Sequence, residues 1–142
     1  MNTHRLVFIG GLWRSGTSAL FRCLREHPSV SAFVDTGVPE DEGQHLQTVY
    51  PPAGKLGGPG RFGFHRGGHI TETSSLVSKA NAQKLFDEWA RYWDLEKPVL
   101  LEKSPPNLIR SRLLNALFPG ARFIFVLRHP VAVSLATQKW SR

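Results

Sequence analysis

The chain has 142 residues, of which 41% are hydrophobic and 20% are charged, as in an ordinary soluble globular protein. This length allows one domain with a real hydrophobic core and is too short for two, so residues 1–142 are predicted to form a single domain. The net charge of +7 favours anionic ligands, but the scattered basic residues and the lack of a nucleic-acid-reading motif argue against nucleic-acid binding.

The cysteine content and the length of the apolar runs bear on the compartment in which we expect the protein. Cys23 has no second cysteine to pair with, so nothing requires an oxidising compartment. The N-terminal apolar run is too short for a signal peptide, and no stretch reaches the length of a membrane span. We therefore expect a cytoplasmic protein without a membrane partner, and we expect Cys23 to fill the core.

The first predicted strand leads into an anion-binding turn. Residues 6–9 are an uncharged run typical of a strand buried on both faces, and Gly10 and Gly11 end it. A helix is predicted over residues 18–26, and the turn before it contains Arg14, Ser15, Gly16, Thr17 and Ser18. The amides of a first helical turn and the positive end of the helix dipole bind anions, so we expect a phosphate site here.

This turn departs from the common phosphate loop G-x-x-x-x-G-K-[ST] at one position. Gly11 and Gly16 have the required spacing, but Thr17 stands where that loop has its lysine. Without the lysine, the usual contact to a β- or γ-phosphate is missing. We predict a site that holds a nucleotide and is poorly suited to splitting a triphosphate, with Arg14 as its cationic side chain.

A cluster of acids follows the second predicted strand, which covers residues 30–34. Glu40, Asp41 and Glu42 are consecutive, and His45 would share a helical face with Glu42. An α/β enzyme keeps its general base near the carboxyl ends of its strands. Glu42, Glu40 and His45 are therefore candidates for a base that deprotonates an acceptor. The alternative is a solvated acidic turn that balances nearby arginines.

The middle of the chain contains a predicted loop and one long helix. Residues 51–70 are rich in glycine and proline, so they form neither a long helix nor a central strand. A helix over residues 75–93 follows, with Thr73 or Ser74 as its N-terminal cap. Its aromatic residues recur at helical spacing, which is typical of core packing.

The third predicted strand, residues 99–101, ends in a charged pair, Glu102 and Lys103. Lys103 could neutralise charge on a bridging oxygen as a sulfuryl or phosphoryl group leaves. A helix over residues 106–117 comes next.

The fourth predicted strand, residues 122–127, ends at Arg128, and Pro130 begins the last helix. Strands that alternate with helices predict an α/β fold with a central parallel sheet of about four strands. All the motifs then lie at carboxyl ends of strands, on one rim, which favours a single site. We assign no metal site.

Three motifs together resemble one enzyme family. The sequence R-S-G-T-S after a buried strand resembles the 5′-phosphosulfate loop of sulfotransferases that use 3′-phosphoadenosine 5′-phosphosulfate (PAPS), and the similarity is greatest to the bacterial and protein-tyrosine branch. E-K-S-P-P-N resembles the lysine-bearing strand end of that branch, which implies a catalytic role for Lys103. F-I-F-V-L-R-H-P resembles the 3′-phosphate element, which implies that Arg128 binds the 3′-phosphate.

The resemblance also implies a fold, a donor and a base. It implies a P-loop-type three-layer sandwich, PAPS as the sulfuryl donor, an acceptor hydroxyl or amine, and a glutamate base, for which Glu42 is the first choice. The family serine that helps to bind the 3′-phosphate falls at Ala136 here, and Ser134 is the nearby candidate.

The family's domain normally continues well beyond this chain, so we expect a truncated gene product, a split subunit or a minimal relative. A dimer or a complementing C-terminal segment are the expected protein partners. The alternatives to a sulfotransferase are a non-catalytic nucleotide-binding remnant and a kinase-like phosphotransferase.

Overall fold

The computed structural model of the chain describes residues 4–140, and its centre is a sheet of four parallel strands. The strands occur in the order β2-β3-β1-β4. Their bounds are Arg5–Gly11 for β1, Val30–Ala32 for β2, Val99–Lys103 for β3 and Arg122–Val126 for β4. The helices are Thr17–Arg25 (α1), Lys79–Ala90 (α2), Asn107–Leu117 (α3) and Pro130–Trp140 (α4). The predicted α/β class and the parallel sheet are confirmed.

Strand β1 is a central strand because it pairs on both sides. Its residue Ile9 is in register with Lys103 of β3 and with Ile124 of β4. A strand with neighbours on both edges and helices on both faces must be apolar throughout, which explains the uncharged run that begins the chain. Strand β3 is longer than predicted, so Glu102 and Lys103 belong to the strand itself.

The helices lie on opposite faces of the sheet. The Phe8 ring of β1 lies 5.9 Å from the Trp89 ring of α2, and α2 contacts α3, so both helices cover this face. Successive side chains of a strand point to opposite faces. Ile9 and its neighbour Lys103 therefore point the other way, where Phe21 of α1 lies 5.9 Å from the Lys103 ammonium. The result is the predicted three-layer sandwich.

Two local predictions are wrong. Helix α2 begins at Lys79, and its cap is the Ser78 hydroxyl, which accepts a hydrogen bond from the Asn81 amide, whereas Thr73 or Ser74 had been expected. Cys23 is exposed, because the inward side of α1 is occupied by Phe21 and by the partly buried Leu20 and Leu24.

Strand β4 is an edge strand, and apolar side chains remain exposed around it. They are Phe125, Leu127, Val131 and Leu135. The expected dimer or complementing segment stays a prediction. Over residues 4–140 no helix is long and apolar enough to cross a lipid bilayer.

Candidate active site

The turn between β1 and α1 leaves the start of α1 open to a ligand. Gly16 precedes the helix with φ +111°, a left-handed conformation that suits glycine, and its carbonyl accepts the first helical hydrogen bond from the Leu20 amide. Within the described part of the chain, no side chain caps α1 and no acid stands in its first turn. The amides and dipole of this turn therefore face the site without a built-in anion.

The glycine pair at the end of β1 lets neighbouring backbone approach closely. A Cβ atom at Gly10 would lie 2.6 Å from the Leu108 amide nitrogen, and one at Gly11 would lie 2.8 Å from the Val126 carbonyl oxygen. The Gly11 amide also donates a hydrogen bond to the Pro105 carbonyl at 3.1 Å. The start of α3 and the end of β4 therefore pack directly against the turn.

Ser15 presents a buried hydroxyl to this turn. Its Oγ atom has no hydrogen-bond partner among the residues that the structure describes, and the neighbouring Thr17 is also buried. A buried polar atom without a partner has an unfavourable free energy, so it calls for an explanation. A bound anion that accepts its hydrogen bond supplies one.

Arg128 follows β4 and reaches across to the same turn. Its Nη1 atom donates a hydrogen bond to the Arg14 carbonyl at 2.8 Å, and both arginines line one cleft. Ala136 of α4 lines this cleft as well, whereas Ser134 is exposed and is not among the lining residues. The structure therefore brings Arg14 and Arg128 together and leaves Ser134 apart, so the role of Ser134 stays a prediction.

Lys103 connects three elements at the base of the cleft. Its side chain is fully buried, and its ammonium donates hydrogen bonds to Ser18 Oγ at 3.3 Å and to Glu42 Oε1 at 3.2 Å. Ser18 belongs to the first turn of α1, and Glu42 lies in the segment after β2. The lysine thus links the anion-binding turn to the leading candidate for the base.

The three candidate bases have different surroundings. The Glu42 carboxylate is buried and also accepts a hydrogen bond from Gln44 Nε2 at 2.5 Å, with His45 Nε2 4.0 Å away. The Glu40 side chain is 53% exposed and pairs with Arg22 at 3.6 Å. All three candidates line the cleft. A carboxylate held in place beside Lys103 suits a general base better than an exposed one.

Glu102 holds the Glu42 segment in place. Its Oε1 atom accepts hydrogen bonds from the Gly43 amide at 3.0 Å and from Ser104 Oγ at 2.6 Å, and Oε2 accepts one from Asn107 Nδ2 at 2.5 Å. A Cβ atom at Gly43 would lie 2.5 Å from Glu102 Cγ, so glycine is needed there. Alternation along β3 places Glu102 on the face opposite Lys103.

The role of Glu102 was not predicted from the sequence. The available signal was the motif E-K-S-P-P-N, which contains Glu102 and its two side-chain partners, Ser104 and Asn107. The third donor to Glu102, the Gly43 amide, is distant in sequence, and only the fold brings it close.

Burial raises the pKa of the Glu102 carboxyl from 4.5 to about 7. Hydrogen bonds from Ser104 and Asn107 oppose this rise, the charge of Glu42 adds to it, and the charge of Lys103 opposes it. Because the pKa is higher in the folded chain, the folded chain binds more protons than the unfolded chain between these two values. The stability that protonation of Glu102 contributes is therefore present below pH 4.5 and is lost as the pH rises through about 7.

The Glu102→Gln variant tests this pH dependence. We expect the unfolding free energy of the unmodified chain to fall by roughly 3 kcal/mol relative to the variant between about pH 4.5 and pH 8. Urea unfolding of both proteins across that range measures the difference, and other titrating groups cancel in the comparison. Parallel stability curves would show that Glu102 does not titrate in this window.

These residues surround a single open cleft of about 560 Å³. The predicted site residues along its wall are Arg14, Gly16, Thr17, Ser18, Glu40, Glu42, His45 and Arg128. Lys103 lies behind the wall, in contact with Ser18 and Glu42, and Ser15 is buried in the same turn. In the segment 4–140, no group of three or more His, Cys, Asp or Glu side chains is arranged to bind a metal ion.

Comparison with known proteins gives one match. A protein-family model described as "Sulfotransferase family" matches residues 7–141. Searches of the curated proteins and of the solved structures return no significant match.

Proposed function

The chain belongs to the sulfotransferase family, and we propose that it takes a sulfuryl group from PAPS and transfers it to the hydroxyl or amine of an acceptor. The observation that carries this proposal is the buried contact of Lys103 with both Ser18 and Glu42. It joins a cation just behind the cleft wall to the start of an uncapped helix and a carboxylate that both line the cleft, an arrangement suited to in-line transfer of a sulfuryl group.

The residues of the cleft fit a doubly phosphorylated nucleotide. The first-turn amides of α1 and the hydroxyl of Ser15 would hold the 5′-phosphosulfate end, with Arg14 as a cationic partner. Arg128, one strand away, would hold the 3′-phosphate. The unpartnered Ser15 hydroxyl and the absence of an acid in the first turn of α1, as the structure describes it, support an anionic ligand at this end.

PAPS supplies a sulfuryl group that is activated by its bond to the 5′-phosphate. In our proposal Glu42 accepts the proton of the acceptor hydroxyl while the acceptor oxygen forms its bond to sulfur. The bond between sulfur and the bridging oxygen breaks, and the Lys103 ammonium stabilises the negative charge that develops on that oxygen. Ser18 positions Lys103 by accepting one of its hydrogen bonds.

Calorimetric titration with adenosine 3′,5′-bisphosphate, run beside AMP, tests the donor site. We expect the bisphosphate to bind more tightly than AMP, because only the bisphosphate can pair with Arg128. The Arg128→Ala variant should lose about 10- to 100-fold in affinity for the bisphosphate and much less for AMP, which is typical of a charge-assisted hydrogen bond.

Arg122→Ala is the matched control, because Arg122 is an exposed arginine at the opposite end of β4. It should leave both affinities unchanged. Equal binding of the bisphosphate and AMP would remove Arg128 from the donor site. Binding of the bisphosphate without transfer to any acceptor would instead identify a non-catalytic nucleotide-binding protein.

A further inference from the structure

A second cavity of about 250 Å³ lies beside the cleft, and we call it the aromatic groove. Its lining residues are Gly11, Leu12, Trp13, Gly60, Phe62, Gly63, Phe64, Pro105, Pro106, Leu108 and Ile109. Of these described residues, none has a charged, hydroxyl or amide side chain. The Trp13 indole N–H is the one hydrogen-bonding group among these side chains. The aromatic groove therefore offers the hydroxyls of a sugar a single side-chain donor, and it suits an apolar group.

The aromatic groove continues the cleft. Trp13 and Pro105 line both cavities, so the two meet at the turn that follows β1. Arg128, which we propose binds the 3′-phosphate, lines the cleft and does not line the aromatic groove. A molecule that reacts in the cleft can therefore extend into the aromatic groove without occupying the space beside Arg128.

The inner wall of the aromatic groove is firmly packed. Phe62 is buried, and its ring meets the Trp13 ring edge-on at a centroid distance of 6.3 Å. The Arg110 guanidinium lies 4.7 Å from the Phe62 ring, and its Nη2 atom donates a hydrogen bond to the Pro51 carbonyl at 2.6 Å. Arg110 thus anchors the glycine-rich segment to α3 and packs against Phe62, which lines the aromatic groove.

The rim of the aromatic groove exposes large apolar side chains to water. Phe64 is 90% exposed and Leu12 is 52% exposed. Covering such surface is favourable, so a ligand that contacts both side chains gains affinity from them. An apolar cavity of roughly 150 Å³ accepts benzene. The aromatic groove is larger than that and has room for a substituted ring.

We propose that the aromatic groove binds the ring of an aryl acceptor, such as a phenol, and leaves its hydroxyl in the cleft beside Glu42. This inference builds on the proposed sulfuryl transfer and assigns its acceptor class. The rings of Trp13, Phe62 and Phe64 provide stacking and edge contacts that favour an aromatic ring over an alkyl chain. An acceptor made only of hydroxyl groups finds one donor side chain there, the Trp13 indole, and no side chain among the described lining residues that accepts a hydrogen bond.

Binding of 4-propylphenol to the full chain saturated with adenosine 3′,5′-bisphosphate tests the proposal, because this nucleotide has no sulfuryl group and no reaction follows. The Leu12→Ala and Phe64→Ala variants should each weaken phenol binding about fivefold to tenfold. Both should keep the bisphosphate affinity. Leu95→Ala replaces another leucine of similar exposure, 43%, outside the two cavities and should change neither affinity.

The outcomes separate this proposal from the donor site. Bisphosphate binding without phenol binding, or phenol binding that both groove variants leave intact, overturns the aryl acceptor and leaves the donor site standing. If the bisphosphate fails to bind, the same titration is run on the nucleotide-free chain, and phenol binding that the two groove variants weaken still supports the aromatic groove. Glucose, used as a polar comparison, should show no saturable binding, and glucose binding that competes with the phenol would contradict the proposal.

Discussion

Replacing Lys103 by methionine should lower the rate of sulfuryl transfer by about a thousandfold while nucleotide binding is kept. Methionine retains much of the buried volume of the lysine stem and removes the ammonium that would stabilise the leaving oxygen. Loss of one preorganised hydrogen-bond donor of this kind typically costs a factor of about 10² to 10³ in kcat. Single-turnover transfer with radiolabelled PAPS measures the rate, and calorimetry with adenosine 3′,5′-bisphosphate measures binding.

The same substitution should also destabilise the fold, since it leaves the buried Glu42 carboxylate without its cation. Removing one partner of a buried ion pair typically costs about 3 to 5 kcal/mol. Adding Glu42→Gln to Lys103→Met should restore much of this loss without restoring transfer. Lys97→Met is the matched control, because Lys97 donates to the Val30 carbonyl at 3.3 Å and has no acidic partner among residues 4–140. Transfer at the normal rate by the Lys103 variant would remove this residue from the mechanism.

The Glu42→Gln variant should lower kcat by about 10²- to 10⁴-fold, the usual contribution of a general base. Glutamine keeps the size of the side chain and can still accept a hydrogen bond from Lys103, but it leaves the buried ammonium without its counter-charge, so rates are compared at a temperature where both proteins are folded. Initial rates at saturating donor measure the effect.

Glu40→Gln and His45→Gln serve as comparisons, because both residues were candidates for the same role. Glu40 is exposed and paired with Arg22, so its variant should stay within about twofold of the unmodified rate. His45 lies 4.0 Å from Glu42 and should show a smaller effect than Glu42. A large loss in the Glu40 variant together with normal activity in the Glu42 variant would reverse the assignment.

The strands and the turn between β1 and α1 were predictable because their signals are local. An uncharged run, a glycine pair and hydroxyl residues before a helix indicate both a structure and a ligand type. The positions of Arg128 and Lys103 at strand ends follow from the same local patterns. Parallel pairing of the strands then places both residues at the same edge of the sheet.

The surroundings of the three candidate bases were not accessible from sequence, because they depend on backbone geometry that no periodic pattern encodes. Glu40 has a φ of +54°, and this turn directs consecutive acids to different surroundings. The network of Glu102 with Gly43 and the wall formed by Arg110 and Phe62 likewise join segments that are distant in the chain. Such contacts arise only when the sheet and the glycine-rich segment have packed.

The pairing of β1 has a consequence for how the chain is made. Arg5 of β1 pairs with Val99, Val7 pairs with Arg122, and the short β2 also pairs with β3. A nascent chain that has not yet emerged from the ribosome as far as β3 therefore contains no strand with a partner. The apolar β1 must wait unpaired until β3 has been made, and contacts of such long sequence separation form slowly. Synthesis should accordingly depend on chaperones that bind exposed apolar segments, and early ribosome-stalled fragments should be protease-sensitive.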